Sequence, residues 1–504
     1  MPQNQNPQRY IILPPRGLHS TGALTSKAIT TFLKSFPSPD VAGKSFGSLS
    51  FKVAQAPSLK LEVIDTIGED GAKLVEMDPA MIEALRVHQP GLKVVPERFF
   101  RTAAVPRPQV LSKAKIAATG TPGPKIEVQV VSKVDGTPIA GAEVVAFTDF
   151  AARVGAQATS GLNGVARLDL GKSEVDIERL YVFPEVGFWS LLLKDIVLSS
   201  GVLPLVPIDL AKKDCLRHFY GNSPTTAGKG IRVGVVDTGV DLTHPDLVVA
   251  GGENCVPGEP TEDFGPNGEG HGTHVAGIIA ARGTPAKGIR GLAPAVELFS
   301  FRVFGQGSEE ASNFAISKAI DRAVELKCDL VNLSLGGGDP DPVIEASISD
   351  ARAAGVVVLA AAGNDDRSPV SFPASSSAPL GVSAIGRKGT FPKDSADADT
   401  LTPPFGKPDG ANFLASFSNI GPELDLTAPG VAILSTVPGG YAAMMGTSMA
   451  CPAATGRAAK LLAKKPQILA MPRTAARADA IVKMLLKSAK SLGFGALMEG
   501  EGML

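Results

Sequence analysis

Two kinds of hydrophobic pattern alternate in the C-terminal part of the chain. Apolar residues spaced for one helical face, most clearly over residues 309–327, separate short and nearly continuous apolar runs. Such runs are typical of strands buried on both faces of a parallel sheet. They cover residues 231–236, 296–303, 330–335, 356–361 and 382–385. Strand and helix in alternation predict an α/β domain with a doubly wound parallel sheet, which we assign to residues 206–504.

The N-terminal part follows a different pattern. Residues 1–50 are rich in Pro, Gly, Ser and Asn with little periodicity, so we expect a flexible leader with one strand at residues 9–13. Residues 51–105 contain strand-like alternation and one short amphipathic helix, which predict a small α+β domain. Its predicted strands are residues 61–67, 73–77 and 92–96, and its predicted helix is residues 79–87.

Between these two parts, residues 106–124 are rich in Pro, Ala and Lys and predict a linker. Residues 125–205 contain short alternating segments separated by turn residues, beginning with the turn at residues 135–138. This pattern predicts a small β-sandwich. We expect Trp189, the single tryptophan, to anchor its core.

Charge and composition exclude several classes of function. Lys plus Arg number 49 and Asp plus Glu number 50, and this balance disfavours nucleic acid or an anionic membrane as a partner. We find no signal peptide and no apolar run of the ~20 residues that span a bilayer. We therefore expect a protein that is cytoplasmic at synthesis, with non-classical export left open.

The four cysteines, Cys215, Cys255, Cys328 and Cys451, are widely scattered and lack C-x-x-C spacing. Neither a disulfide framework nor a zinc site is expected. Cys451 follows Ser448 by three residues, but we interpret it as a small buried thiol packed behind a helix rather than as a nucleophile.

Three short motifs supply an acid, a base and a nucleophile. They read Val-Val-Asp237-Thr-Gly, His271-Gly-Thr-His274 and Gly446-Thr-Ser448-Met-Ala. A serine hydroxyl is a poor nucleophile at neutral pH, so a histidine must take its proton while a carboxylate orients the imidazole. Each motif also has an ordinary structural explanation. Asp237 is suited to a turn, Ser448 to a helix N-cap, and His274 to hydrogen-bonded packing rather than to a metal site, since no third ligand follows.

A fourth motif strengthens the interpretation of the first three as one active site. Residues 361–364, Ala-Ala-Gly-Asn, end a predicted buried strand with an amide side chain. Attack on a peptide carbonyl creates an oxyanion that needs two hydrogen-bond donors. The side chain of Asn364 and the backbone N–H of Ser448 are the candidates.

The order Asp, His, Ser along the chain is that of subtilisins, and the chain resembles the subtilisin-like serine proteases over about residues 208–490. The resemblance implies a serine endopeptidase with catalytic Asp237, His271 and Ser448 and with Asn364 in the oxyanion hole. It also implies that a strand edge pairs with extended substrate and that neighbouring residues form the first specificity pocket. The residues expected to contact substrate are Ser334, Leu335, Gly336, Ala361, Gly363 and Ser371.

The resemblance extends to the N-terminal part. Its strand–helix–strand order is similar to the propeptide of subtilases, which implies a self-inhibited precursor cut somewhere in residues 101–124. The expected partners are thus a polypeptide substrate and the chain's own N-terminal region as intramolecular inhibitor. Residues 125–205 resemble small β-sandwich modules of the carboxypeptidase-regulatory type, and residues 388–412 look like an inserted surface loop.

Some questions stay open at this point. No cofactor is expected to be required, but calcium is frequent in the family, so a calcium site stays open although no compact oxygen-ligand motif predicts one. A transpeptidase, in which an amine resolves the acyl-enzyme, is an alternative enzyme. A non-catalytic scaffold that keeps the fold is the alternative from another class.

Overall fold

The computed structural model describes residues 7–20, 25–37, 48–51, 59–113 and 124–504. Its N-terminal unit is a five-stranded antiparallel sheet in the order β2-β3-β4-β1-β5, with two helices sharing its core. The elements are β1 (Gln8–Leu13), α1 (Lys27–Lys34), β2 (Ser48–Phe51), β3 (Leu59–Thr66), β4 (Lys73–Met77), α2 (Met81–His88) and β5 (Lys93–Pro96). The three strands and the helix predicted within residues 61–96 are confirmed to within about two residues at most ends.

The boundary expected near residue 50 is wrong. Strand β1 is an inner strand that pairs with both β4 and β5, and α1 buries Phe32 and Leu33 in the same core. An inner strand cannot be separated from its sheet, because both of its edges are hydrogen-bonded. Residues 1–6, 21–24 and 38–47 of the expected leader lie outside the described residues.

Two short strands, β6 (Phe99–Thr102) and β7 (Ser112–Lys113), precede a unit made of two sheets. We call residues 126–205 the two-sheet unit. One sheet has the order β13-β12-β9-β10-β7 and the other β11-β8-β14, and a single apolar cluster draws residues from both. The strands are β8 (Ile126–Ser132), β9 (Glu143–Asp149), β10 (Val154–Thr159), β11 (Val165–Leu168), β12 (Glu174–Phe183), β13 (Leu191–Ser199) and β14 (Gly201–Leu205).

Two expectations for this region need correction. Trp189 does not anchor the core of the two-sheet unit; it packs into the main core of the C-terminal unit. The first part of the predicted linker is also structured, because Ser112 and Lys113 pair as β7 with the edge of β10. The remaining predicted linker residues, 114–123, lie outside the described residues.

The C-terminal unit contains the parallel sheet. Its main path has the order β16-β17-β15-β19-β21-β22-β23, in which β23 is antiparallel, and β24 pairs in parallel with β22. The elements up to β22 are α3 (Cys215–Tyr220), β15 (Arg232–Asp237), β16 (Val249–Asn254), α4 (His271–Ala280), β17 (Glu297–Arg302), β18 (Glu310–Ser312), α5 (Asn313–Glu325), β19 (Leu330–Leu333), β20 (Leu335–Gly336), α6 (Pro342–Ala353), β21 (Val357–Ala361) and β22 (Leu380–Arg387).

The remaining elements are a 3-10 helix (Ala396–Thr400), β23 (Asn412–Leu414), β24 (Leu424–Pro429), β25 (Ile433–Val437), β26 (Gly440–Met444), α7 (Thr447–Leu462), α8 (Pro466–Leu469), α9 (Ala475–Ser488) and α10 (Ala496–Glu499). Helices α4 and α7 share one apolar cluster with the sheet, and α5 and α6 share another. The predicted α/β class with a parallel sheet is confirmed.

The N-terminal unit is attached to the C-terminal unit in two ways. Strand β6 lies between β18 and β20 and pairs antiparallel with both. The sheet also packs on α5 and α6, where Ile11 and Leu13 share a buried cluster with Phe314 and Val343. The connection therefore brings residues 99–102 against the edge that the sequence predicts for substrate.

Candidate active site

The acid and the base meet at the carboxyl end of the sheet. Asp237 is the last residue of β15 and His271 the first of α4, and Asp237 Oδ1 lies 2.7 Å from His271 Nδ1. Both side chains are buried. Asp237 Oδ1 also accepts a hydrogen bond from its neighbour's backbone, Thr238 N, at 2.7 Å. The carboxylate is thus held against Nδ1, which leaves Nε2 of the same ring for chemistry.

A glycine makes the close approach of these two residues achievable. A Cβ on Gly272 would lie 2.3 Å from Gly239 O and 3.1 Å from Asp237 Oδ1. Within the described part of the chain, His271 Nε2 is buried and has no hydrogen-bond partner. A buried ring nitrogen without a partner is unfavourable unless a substrate or nucleophile supplies one.

His274, the second histidine of the motif, has the structural role predicted for it. Its Nε2 lies 3.0 Å from Ile433 O, and burial lowers the pKa of the ring to about 3. The ring is therefore neutral at physiological pH, and it extends from α4 to contact β25. The described residues contain no group of three or more His, Cys, Asp and Glu side chains placed to hold a metal ion.

Ser448 lies in the first turn of α7, fully buried. The helix N-cap is Gly446 with φ 147°, a backbone conformation that side chains disfavour. Ser448 Oγ donates to Ser334 O at 3.1 Å, and Ser334 Oγ donates in return to Ser448 O at 2.9 Å. Cys451 is buried one turn further on, as predicted, and burial raises the pKa of its thiol.

Asn364 is oriented by a residue that the sequence analysis missed. Its side-chain Oδ1 accepts from Thr447 N at 2.8 Å and from Thr447 Oγ1 at 3.0 Å. Because Oδ1 accepts both of these hydrogen bonds, the NH₂ group of Asn364 must face the cleft. The only sequence signal for Thr447 is its position immediately before Ser448.

The cleft is occupied by the chain's own Ala103. Its carbonyl oxygen accepts hydrogen bonds from Ser448 N at 3.0 Å and from Asn364 Nδ2. Its N–H donates to Ser334 O at 2.9 Å. A Cβ on Gly446 would lie 2.8 Å from Ala103 O, so only glycine leaves room for the bound chain. The two predicted oxyanion donors therefore converge on one peptide carbonyl.

Residues before Ala103 form an extended strand in the cleft. Thr102 pairs with Leu335 and Arg101 with Gly336 on one side, while Arg101 pairs with Glu310 on the other. The edge Ser334-Leu335-Gly336, predicted to take extended substrate, thus takes residues 101–103. Gly336 is required there, because a Cβ would lie 2.6 Å from a backbone oxygen.

The side chains of this strand alternate between buried and exposed environments. Phe100 is 3% exposed, and its ring centroid lies 5.9 Å from that of Phe372. The neighbouring Arg101 forms an exposed ion pair with Glu310 at 2.9 Å. An exposed pair of this kind contributes little to binding, whereas a buried aromatic ring contributes much.

The remaining predicted substrate residues lie beside the same strand end. Ala361 is the buried last residue of β21. Gly363 has φ 105°, and a Cβ there would lie 2.4 Å from Ser371 Oγ. Ser371 Oγ accepts from Asn419 Nδ2 at 3.0 Å and lies 3.3 Å from a carboxylate oxygen of Asp365. Ser371 is therefore held in a small polar network next to Gly363.

Comparison with known protein families agrees with this site. A model described as Peptidase_S8, Subtilase family, matches residues 228–503. The chain belongs to the subtilase family. The match contains all three triad candidates and Asn364 but begins after the N-terminal unit and the two-sheet unit, so it describes the peptidase part only.

Individual subtilisins are similar to this subtilase over that same part. Subtilisin BL and Subtilisin Savinase of Lederbergia lenta are each 39% identical over 240 residues, which is 47% of this chain and 78% of theirs. Subtilisin E of Bacillus subtilis (strain 168) is 38% identical over 242 residues, 47% of this chain and 57% of its own length. This subtilase is a serine-type endopeptidase. None of its described helices has the length and apolar character needed to cross a membrane.

Proposed function

We propose that this subtilase is a self-inhibited precursor that cuts its own Ala103–Ala104 bond with Ser448 as nucleophile, His271 as base and Asp237 as the orienting acid. One observation carries the proposal: the carbonyl oxygen of Ala103 accepts from both Ser448 N and Asn364 Nδ2. Two donors aimed at one carbonyl oxygen are the arrangement that stabilises a tetrahedral oxyanion. Ala103 is thus the residue on the acyl side of the bond to be cut.

The chemistry follows from this geometry. Ser448 Oγ attacks the carbonyl carbon of Ala103, and its proton passes to His271 Nε2 while Asp237 stabilises the imidazolium through Nδ1. The oxyanion is held by Asn364 and by the backbone of Ser448. The intermediate then expels the amino group of Ala104, which takes the proton from His271. Water resolves the acyl-enzyme and leaves a new carboxylate on Ala103.

One rearrangement must come first. Ser448 Oγ donates to Ser334 O, so this bond must break before the hydroxyl can transfer its proton to His271. Rotation about the Cα–Cβ bond of Ser448 is a staggered-rotamer change of low cost. The proposed reaction therefore begins with a movement of the Ser448 side chain.

After cleavage, the N-terminal unit would act as an inhibitor bound in trans. Its contacts with α5 and α6 do not depend on the cut bond. Leu18 N donates to Asp350 Oδ2 at 2.7 Å, and Asp65 pairs with Lys318 at 2.8 Å. Asn313, at the start of α5, donates to Pro96 O at 3.2 Å and receives the backbone N–H of Arg98. These bonds keep residues 99–103 aligned in the cleft.

The functional division of the chain follows from the proposed cut. Residues up to 103 form the propeptide-like inhibitor, residues 104–124 connect it onward, residues 125–205 form the β-sandwich of carboxypeptidase-regulatory type, and residues 206–504 form the peptidase. Polypeptide substrates would bind as residues 99–103 do. Apolar, preferably aromatic, side chains are then favoured at the fourth position before the scissile bond, where Phe100 is buried.

The test is to express the full chain beside its Ser448→Ala variant and to determine the masses and N-termini of the products. We expect a fragment beginning at Ala104 from the native chain only, together with labelling of Ser448 by an organophosphonate. A native chain that stays uncut and unlabelled would favour the scaffold alternative. Products joined to an added amine, rather than hydrolysed, would favour the transpeptidase.

A further inference from the structure

Beyond the proposed scissile bond the chain first lies against the peptidase at Val105 and then, from Arg107 onward, on the two-sheet unit. We call residues 104–113 the primed segment, since they follow the bond. Its single backbone hydrogen bond to the peptidase part among the described residues joins Val105 N to Met445 O at 3.2 Å. From Arg107 onward its hydrogen bonds and ion pairs among the described residues are with β9, β10 and the loop before β10, and Val110 packs on a cluster drawn mainly from β9, β12 and β13.

Charged and amide side chains hold the first half of this contact. Arg107 Nη1 lies 3.5 Å from Glu143 Oε2, and its guanidinium lies 5.1 Å from the ring centroid of Phe183. Gln109 Nε2 donates to Glu143 Oε1 at 3.1 Å. Glu143 therefore bridges two residues of the primed segment.

Backbone pairing holds the second half. Gln157 accepts from Val110 N at 2.9 Å and donates from its Nε2 to the side chain of Gln109 at 2.8 Å. The backbone N–H groups of residues 111 and 112 both reach Arg153 O, and β7 then continues the sheet in parallel with β10. The side chain of Val110 packs on the apolar cluster around Phe147 and Tyr181. This is β-strand addition to a sheet edge.

Two features restrict the conformations of the primed segment and of the surface that binds it. Pro106 and Pro108 restrict their own φ angles and favour extended backbone at Val105 and Arg107, which lowers the entropy lost on binding. The two-sheet unit is fastened to the peptidase by the inserted loop, where Asp399 pairs with Arg179 at 2.7 Å and Asp394 O accepts from Leu192 N at 2.7 Å. None of these contacts involves the Ala103–Ala104 bond.

We propose that the two-sheet unit is a binding site for extended polypeptide on the C-terminal side of the scissile bond, and that it keeps residues 104–113 there after cleavage. The inference rests on the proposed cut at Ala103–Ala104. The segment remains covalently attached to the chain that carries its site, so its effective concentration is in the mM range, well above that of a typical substrate. The primed half of the cleft stays covered until the segment is displaced or trimmed.

The test uses the processed protein and two substrates with the same sequence before the cut, Phe-Arg-Thr-Ala. One is the methyl ester, and the other continues with Ala-Val-Gly-Ser, which is too short to reach the two-sheet unit. In the Glu143→Ala/Gln157→Ala variant we expect KM for the longer peptide to fall about three- to tenfold, because the competing segment is released. KM for the ester should not change.

Matched control variants distinguish release of the primed segment from a general disruption of the two-sheet unit. Glu127 and Gln129 lie on β8 of the other sheet, where they bond to Arg167 and to Asn163 O, away from the primed segment. The Glu127→Ala/Gln129→Ala variant makes the same chemical changes and should behave as the native chain. Arg107→Ala removes a contact from the segment itself, so it should lower the same KM without altering the two-sheet unit.

Hydrogen exchange gives a direct measure of occupancy. In the processed native protein the amides of residues 105, 111 and 112 should remain protected, and this protection should be lost in the Glu143→Ala/Gln157→Ala variant. Exchange at the rate of a free peptide in the processed native protein would overturn the proposal. A rise in KM for the longer peptide, or no change, would overturn it too. If the Ala103–Ala104 bond is never cut, the proposed function fails instead.

Discussion

Thr447 donates two hydrogen bonds to the side-chain oxygen of Asn364, one from its backbone nitrogen at 2.8 Å and one from its hydroxyl at 3.0 Å. The hydroxyl of Thr447 also accepts the backbone N–H of Gly363 at 3.1 Å. Thr447 therefore positions the amide that faces the carbonyl of Ala103, although it has no bond to that carbonyl itself. The proposed oxyanion site therefore depends on a residue that would not itself touch the oxyanion.

We expect Thr447→Val to slow self-cleavage and peptide hydrolysis. The isosteric change removes one of the two bonds to Asn364 and leaves the N–H of Gly363 unpaired, which together are worth about 1–2 kcal/mol, or roughly five- to thirtyfold in kcat. The measurement is single-turnover conversion of the precursor. Thr447→Ser keeps the hydroxyl and should restore most of the rate, and a loss of equal size in both variants would contradict this role.

Asn364→Ala should reduce kcat more strongly. Loss of one oxyanion donor costs about 10²–10³ in kcat, and a subtilisin asparagine is the standard measured case. KM for short peptides should change little, because the donor acts mainly when charge develops on the oxygen. Steady-state kinetics of the processed protein test this. A large rise in KM with unchanged kcat would show that Asn364 serves ground-state binding instead.

Phe100 should dominate recognition of the strand in the cleft. Truncation of a buried phenylalanine costs about 3–5 kcal/mol, so Phe100→Ala should weaken inhibition by the N-terminal unit by about 10²-fold or more. The adjacent Phe99 is 56% exposed and provides the matched control, since Phe99→Ala makes the same truncation at the surface. Inhibition constants of the two variant N-terminal fragments decide the point, and equal constants would contradict the prediction.

The affinity of the N-terminal unit for the peptidase should decrease at alkaline pH. His19 Nε2 lies 2.8 Å from Asp321 on α5, and this hydrogen bond, opposed by burial, raises the pKa of His19 to about 9. Asp70 and Asp350 add negative charge nearby. Release removes Asp321 but leaves Asp70 beside His19, so the pKa of His19 falls from about 9 toward its ordinary value of 6.5. A raised pKa in the complex stabilises it below the pKa of the free fragment, and this contribution is lost as the pH rises through 9.

The dissociation constant of the processed complex should therefore rise roughly 10- to 100-fold between pH 7 and pH 10. In a His19→Gln variant the complex should be weaker at pH 7 and its pH profile should be flat. If the dissociation constant of this variant still rises with pH, the titrating group is not His19. Lys73 is the nearest candidate, because burial lowers its pKa to about 8.

Local sequence predicted where most of the candidate site residues lie in the fold. A buried apolar strand that ends in Asp237 and a helix that begins with His271 bring the two side chains to one edge of the sheet, where they lie 2.7 Å apart. The same logic predicted Ser448 at a helix start and Asn364 at a strand end. The structure agrees with these positions in the fold, because the carboxyl ends of parallel strands lie at the same edge of the sheet.

Local sequence failed where strands pair over long distances. The strand predicted at residues 9–13 is present as β1, but the sequence assigned it to a separate leader, because nothing local to it shows that β4 and β5 flank it. The role of the inserted loop was also open, and only its contacts with Arg179 and Leu192 show that it meets the two-sheet unit. Trp189 was assigned to the wrong core for the same reason.

The sequence by itself determined the class of enzyme, because the candidate acid, base, nucleophile and oxyanion donor each stand in a short motif with its own structural reason. Only the tertiary structure decided which peptide carbonyl accepts hydrogen bonds from Ser448 N and Asn364 Nδ2. Nothing in the composition of residues 101–124 distinguishes Ala103 from its neighbours. That carbonyl is selected by the pairing of β6 between β18 and β20, which joins segments of the chain far apart in sequence and fixes the register by backbone hydrogen bonds alone.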